Sequence, residues 1–395
     1  MNNWQVKTLG EYLSLQRGYD LTAEQRTKGN IPVMGAGGQN GTHGVSKASG
    51  PGVIVGRSGS SYGQVYLSEG DFWPHNTSMF VTDFKGNDEY FTYYLLKNLD
   101  FDRLNSGSAQ PSLNRNFIYP VKVRVPKPNE QTKISAVLRA IDQKIELNNR
   151  INTELEAMAK TLYDYWFVQF DFPDVNGKPY KASGGKMVYN DALKREIPEG
   201  WSDKTLSQIA NITMGQSPAG SSYNEEGTGT IFYQGSTDFG WLFPSTRQYT
   251  TAPSRMAKKG DILLSVRAPV GDMNIANTDC CIGRGLAALN SKTGSDGFLF
   301  YVMKYFKQIF DRRNSEGTTF GSITKNDLHS LTLAYPTADL LEKYDEVVTN
   351  YNKMIFERSL ENRELVNLRD WLLPMLMNGQ VTVKPSTESQ EAQHG

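Results

Sequence analysis

From Ile134 onward, seam-type positions return in a 4-3 alternation: Ile134, Leu138, Ile141, Ile145, Asn148, Asn152, Leu155, Ala159, Leu162 and Trp166. That spacing lays one stripe along a helix and marks a coiled-coil seam. The same positions recur 210 residues later as Tyr344, Val348, Tyr351, Ile355, Arg358, Asn362, Leu365, Arg369, Leu372 and Leu376, a more polar stripe. Two long helices are therefore predicted, over 129–171 and 338–383. Asn152 and Asn362 fall at equivalent seam positions, where a buried amide costs stability and fixes register. Pro374 is expected to end or kink the second helix near Leu373. Neither stripe is apolar enough to stand alone, so the two helices are expected to pair. About 40 helical residues make a rod of roughly 60 Å. If the pair is antiparallel, the flanking domains sit at its opposite ends about a pseudo-twofold axis.

The duplication extends beyond the helices. "WQVKTLGEYL" from Trp4 is echoed by "WSDKTLSQIA" from Trp201, and "GVIVGRSG" from Gly52 by "GDILLSVRAPVG" from Gly260. "NSGSAQPSLNRN" from Asn105 answers to "NSEGTTFGSITKND" from Asn314, and "VKVRVPKP" from Val121 to "LTLAYPTA" from Leu331. The expected fold is mixed α/β (α+β): domains over 1–128 and 201–337, each followed by its helix. The Gly-, Pro- and Lys-rich stretch 172–200 reads as a connecting segment, and 384–395 as a disordered tail.

Charge and motifs narrow the function. The chain of 395 residues has 42 basic and 42 acidic residues. Residues 1–128 hold 13 Lys+Arg against 10 Asp+Glu, and 201–337 hold 13 against 11. The remaining, helical parts are correspondingly acidic, which permits phosphate binding by the globular parts. The two cysteines, Cys280 and Cys281, are neighbours, and no CxxC pair offers a metal site. No P-loop, dinucleotide GxGxxG, HExxH or Asn/Asp-Pro-Pro-Tyr tetrapeptide occurs. His75 reads as a structural histidine and the cysteines as core residues. No secretory signal or bilayer-spanning run is evident, so a cytoplasmic location is expected. The chain reads as a binder rather than a catalyst.

Several loops combine small residues with polar tips and a cation: "GRSGSSYGQ" from Gly56, "GQSPAGSSYNEE" from Gly215, "QGSTDFGWLFPSTRQY" from Gln234, and the two Asn-Ser loops above. Such residues suit reading of base edges and phosphates, although ordinary turns favour them too. Two diverged heads on one rod could address half-sites about one helical turn of DNA apart, roughly 34 Å.

Taken together, "LRAIDQKIELNNRINTELEAMAKTLYDYWFVQFDFP" from Leu138, "GQSPAGSSYN" from Gly215, "VRAPVG" from Val266 and "LRDWLLPMLMNGQV" from Leu368 resemble the specificity subunits of Type I restriction-modification systems over nearly the whole chain. The resemblance implies a non-catalytic subunit that reads an asymmetric, bipartite double-stranded DNA site. It also implies docking of two methyltransferase subunits, which restriction subunits can join. S-adenosylmethionine, ATP and Mg are then expected in those partners only, with no metal or cofactor here. Base-contact candidates in the first domain are Arg57, Ser60, Ser61, Tyr62, Ser108, Gln110, Asn114 and Arg115. In the second they are Gln216, Ser217, Ser221, Ser222, Tyr223, Thr237, Arg247, Arg267, Thr318, Thr319, Ser322 and Lys325. Arg150, Glu154, Tyr163 and Phe167 are the candidate docking residues on the helix. For Tyr163 and Phe167 the alternative is packing against the neighbouring domain. The other readings of the chain are a protein-only coiled-coil adaptor and an undetected nuclease.

Overall fold

The computed structural model describes residues 4–104, 111–315 and 322–384. It divides into two compact units, the described parts of Met1–Leu147 with Glu361–Gly395, and Asn148–Leu360. Each unit holds one α/β domain and a half of each long helix.

The repeated Lys-Thr-Leu has a physical role. In the first unit the strand Gln5–Thr8 turns directly into the short helix Leu9–Tyr12. Thr8 and Glu11 form a capping box there: the Glu11 carboxylate accepts from the Thr8 N–H at 2.7 Å, and the Thr8 hydroxyl accepts from the Glu11 N–H at 3.3 Å. In the second unit Thr205 and Gln208 do the same for the helix Leu206–Ile209. Each opening strand pairs antiparallel with the last strand before its long helix, Gln5–Thr8 with Lys122–Val125 and Ser202–Thr205 with Thr332–Tyr335.

Each domain then builds an antiparallel four-stranded sheet. Its order is Ser14–Arg17, Ser78–Asp83, Gly52–Gly56, Val65–Ser68 in the first, and Ala210–Met214, Leu286–Ser291, Ile262–Ser265, Met273–Ile275 in the second. The central strand Gly52–Gly56 is buried throughout, with Val53 and Val55 in the main core and Ile54 in a smaller cluster with Met34, Phe72 and Phe80. Alternation places successive side chains on opposite faces. Ile262 and Leu264 against Leu263 repeat the division in the second domain. A second, mixed sheet completes each domain, three-stranded in the first and five-stranded in the second. Ile31–Gly35 runs parallel to Trp73–Pro74, and Thr230–Tyr233 parallel to Cys280–Ile282. The cysteines are buried, unlinked members of that inner strand.

The first long helix spans Pro128–Tyr163 and ends in a π-helical turn, Asp164–Val168. The second spans Ala338–Met377 with Pro374 inside it. Pro374 does not stop the helix. It lacks the N–H that would donate to the Asp370 carbonyl, but the Pro374 carbonyl still accepts from the Asn378 N–H at 2.9 Å. All twenty seam positions are buried or half-buried. The pairing is antiparallel within each unit. In the first, Asp142 meets Arg369 at 3.0 Å and Lys144 meets Glu361 at 3.4 Å. In the second, Asn152 donates to the Ser359 hydroxyl at 3.3 Å and Tyr344 to the Ala159 carbonyl at 3.4 Å. The register amide of Asn152 thus answers to Ser359.

Asp142 also accepts from the Tyr94 hydroxyl at 2.7 Å, tying the helix Glu89–Lys97 to the pair. Replacing Asp142 by alanine would leave Arg369, only 18% exposed at its side chain, without that partner. Urea unfolding of Asp142→Ala should show a loss of about 1–3 kcal/mol. An unchanged midpoint would show that Asp370, which also touches Arg369 at 2.8 Å, suffices.

The stretch 172–200 is more than a connection. Met187–Asn190 and Arg195–Pro198 form a β-hairpin, and Phe172 stacks between Tyr180 and Trp201. Four-residue strands are too short to show a period among the surrounding Gly, Lys and Pro. The tail 385–395 lies outside the described residues. Among the described residues, no helix is long and apolar enough to cross a membrane.

Candidate nucleic-acid interface

Five backbone hydrogen bonds gather the strand ends of each domain. In the first, Gly18 N–H donates to Ser78 O (3.0 Å), Tyr19 to Pro74 (2.8 Å), His75 to Met34 (2.8 Å), Arg57 to Thr77 (2.9 Å) and Leu113 to Arg57 (2.8 Å). In the second, Gly215 donates to Leu286 (2.9 Å), Gln216 to Ile282 (3.0 Å), Gly283 to Tyr233 (2.8 Å), Val266 to Gly285 (2.9 Å) and Ile323 to Val266 (2.8 Å). The two sets match bond for bond, so the same loops converge in both domains. The crossing is close: a Cβ on Gly18 would lie 2.2 Å from the His75 carbonyl, and one on Gly215 would lie 2.1 Å from that of Gly283.

This register fixes the correspondence within the two arginine-containing turns. Arg57 corresponds to Val266, and Arg267 corresponds to Ser58. The bridges Ser58–Ser112 and Arg267–Ser322 confirm the shift. The described ends of the later loops correspond as well. Asn114 caps the helix Arg115–Ile118 and Thr324 caps Lys325–Ser330, placing Arg115 and Lys325 at the first helical position, both exposed.

In the first domain the 57–62 turn therefore lies against the 111–115 segment. The Arg57 guanidinium is half-buried and its Nε has no hydrogen-bond partner. Burial, and then the nearby charge of Arg17, lower its pKa. Such a group gains from an arriving anion or base edge. The Tyr62 hydroxyl donates to Asp102 at 2.6 Å, which raises the tyrosine pKa and anchors the turn. Ser60 is exposed and Ser61 half-buried. Gly59–Gly63 spells a G-x-S-x-G pattern, but the turn joins two antiparallel strands and is not the strand-to-helix elbow of a hydrolase.

In the second domain Gln216, Ser221, Thr237, Arg267, Ser322 and Lys325 are exposed. Ser217 holds Gln234, its hydroxyl lying 2.9 Å from Nε2 and 3.1 Å from Oε1. Three expected readers are otherwise engaged. The Arg247 fork is closed on Asp238, at 2.9 and 3.3 Å, and that pairing raises its pKa. The Ser222 hydroxyl donates to the Ala219 carbonyl at 2.7 Å, and the Tyr223 hydroxyl to that of Pro218 at 3.0 Å. These groups build the loop. Ser108, Gln110, Thr318 and Thr319 lie outside the described residues. The converging loops also present four residues that were not among the base-contact candidates: Arg17, Asn76, Gln234 and Arg284. Gln216, Ser217, Tyr223, Gln234 and Arg284 line a concavity of about 640 Å³. The pattern Gly283-Arg284-Gly285 was the available signal for the last of them.

Of the docking residues, Arg150 and Glu154 are exposed. Tyr163 and Phe167 are not a free surface. They are 5% and 6% exposed and pack on Phe298 and Tyr344 in the core of the second unit. An exposed aromatic elsewhere in that unit, Trp241, lines a groove of about 1120 Å³ together with Phe300, Lys304 and Phe356. Among the described residues no group of three or more His, Cys, Asp or Glu side chains could hold a metal ion.

The family described as "Type I restriction modification DNA specificity domain" matches residues 1–157 and again 198–353. The chain is similar to the putative type I restriction enzyme MjaX specificity subunit of Methanocaldococcus jannaschii, with 30% identity over 335 residues, 82% of this chain and 76% of that one. It is also similar to the MjaIX specificity subunit of the same organism, with 26% identity over 319 residues, 74% and 69% of the two chains. The crystal structure of a Type-I restriction-modification S subunit from M. genitalium shares the fold, with a TM-score of 0.65 at 19% identity over 97% of both chains. With the family matched twice, once over each domain, this chain belongs to the Type I restriction-modification DNA specificity family.

Proposed function

We propose that this chain is the non-catalytic sequence-reading subunit of a Type I restriction-modification complex. It recognises an asymmetric, bipartite double-stranded DNA site, one half-site per domain. It also scaffolds two methyltransferase subunits, with restriction subunits able to join. S-adenosylmethionine, ATP and Mg belong to those partners. Arg150 and Glu154 contribute to the docking face.

The observation that carries this reading is the repeated backbone relay. Two domains of the same register hold the same loop ends, yet the side chains there differ: Arg57 against Val266, Ser58 against Arg267, Asn76 against Arg284. One mounting with two sets of tips suits recognition of two different sequences. Exchange of residues 1–128 for the matching domain of another family member, in the complete complex, is expected to change one half of the methylated motif and leave the other half intact. Methylome sequencing reads this directly. A motif altered in both halves, or in neither, would refute the assignment of one domain to one half-site.

A further inference from the structure

The position shared by Asn76 and Arg284 falls between the third and fourth bonds of each relay. His75 and Gly283 donate on one side, and Thr77 and Gly285 accept on the other. In the second domain the chain is pressed against its neighbour: a Cβ on Gly283 would lie 2.8 Å from the Cα of Gln234, and one on Gly285 would lie 2.8 Å from the Gln234 carbonyl. The Arg284 backbone is thus fixed, and its N–H donates to the Ser217 hydroxyl at 3.3 Å. Its side chain is exposed at the mouth of the concavity formed with Gln216 and Gln234. Among the described residues its guanidinium has no hydrogen-bond or ion-pair partner. It differs in this from Arg247, whose fork Asp238 occupies. Arg284 therefore combines a rigid base with a free fork of donors. Guanine presents the two acceptors, O6 and N7, that such a fork fits in the major groove. The counterpart Asn76 is oriented differently, by an Nδ2–H donated to Asp20. That leaves its second N–H and its carbonyl oxygen for the donor and acceptor edge of adenine.

We propose that the position shared by Asn76 and Arg284 is a base-reading position in both domains, with Arg284 specifying a guanine in the second half-site. The inference rests on the DNA-reading function proposed above.

The test uses the full chain assembled with its modification subunits. Methylomes are compared for the wild type and Arg284→Asn. The expected result is a motif changed at one base, in the half-site that the 1–128 exchange leaves intact. An unchanged motif overturns the inference while leaving the proposed function standing. A wild-type complex that methylates without sequence preference overturns both. Should Arg284→Asn abolish methylation, binding of the Arg284→Ala complex to duplexes carrying each base at each motif position decides. A wild-type preference for guanine of roughly 5- to 150-fold at one position, lost there alone with an unchanged salt slope, supports the inference. Equal weakening on all duplexes, with or without a salt slope reduced by about one, marks a phosphate contact or a structural role and overturns it.

Discussion

Phe167→Ala is expected to lower stability by about 3–5 kcal/mol, the range for truncating a buried aromatic. Phe167 sits where four parts of the second unit meet. Its ring centroid lies 5.4 Å from that of Tyr163, 4.9 Å from Phe298, 4.9 Å from Tyr344 and 6.0 Å from Trp201. These rings come from the first long helix, the helix Asp296–Ser315, the second long helix and the start of the second domain. Edge-on aromatic contacts add to the area buried. Urea unfolding measures the loss. Tyr165, two residues earlier and 37% exposed, is the control. Its alanine variant should change stability by less than about 1 kcal/mol. The opposite pattern is informative. If Phe167→Ala kept its midpoint but failed to assemble with modification subunits, the docking role expected from the sequence would be right and the packing role wrong.

A second large effect is expected from salt. The chain has no net charge, with 42 basic and 42 acidic residues, so DNA affinity must come from the local placement of cations. Arg17, Arg57 and Arg115 lie on the converging loops of the first domain, and Arg267, Arg284 and Lys325 on those of the second. With Arg284 left to a base, the other five can each meet a phosphate. Five such contacts release counterions with a slope of about −0.9 each, so affinity should fall by roughly 10²–10³ between 50 and 200 mM salt. Titration of the assembled complex with a duplex bearing its motif gives the slope. A flat response would favour the protein-only adaptor.

The helical plan was legible because a seam stripe sustained over ten positions has few competing explanations. Tandem domains were legible because the Lys-Thr-Leu cap and the polar loops recur as text. The failures share a cause. Tyr163 and Phe167 lie beside the seam, and the sequence does not show that Phe298 and Tyr344 cover them. Arg247 looked like a reader because a sequence does not show that Asp238, nine residues away, closes its fork. Arg57 and Arg267 each stand in a turn matched by the text, and only the hydrogen-bond register shows that they are one position apart. The hairpin within 172–200 was hidden by its brevity. Local pattern shows which residues lie on an element; it does not show which polar tips are already engaged by neighbours.

The division into units has a consequence for synthesis. The second unit is one uninterrupted stretch of chain placed between the two parts of the first. The core of the first domain includes Leu373, Leu376 and Met377, which leave the ribosome only after every residue of the second unit. The domain that is translated first is therefore the one completed last. A premature stop shortly before Glu361 would spare the later domain and strip apolar cover from the earlier one.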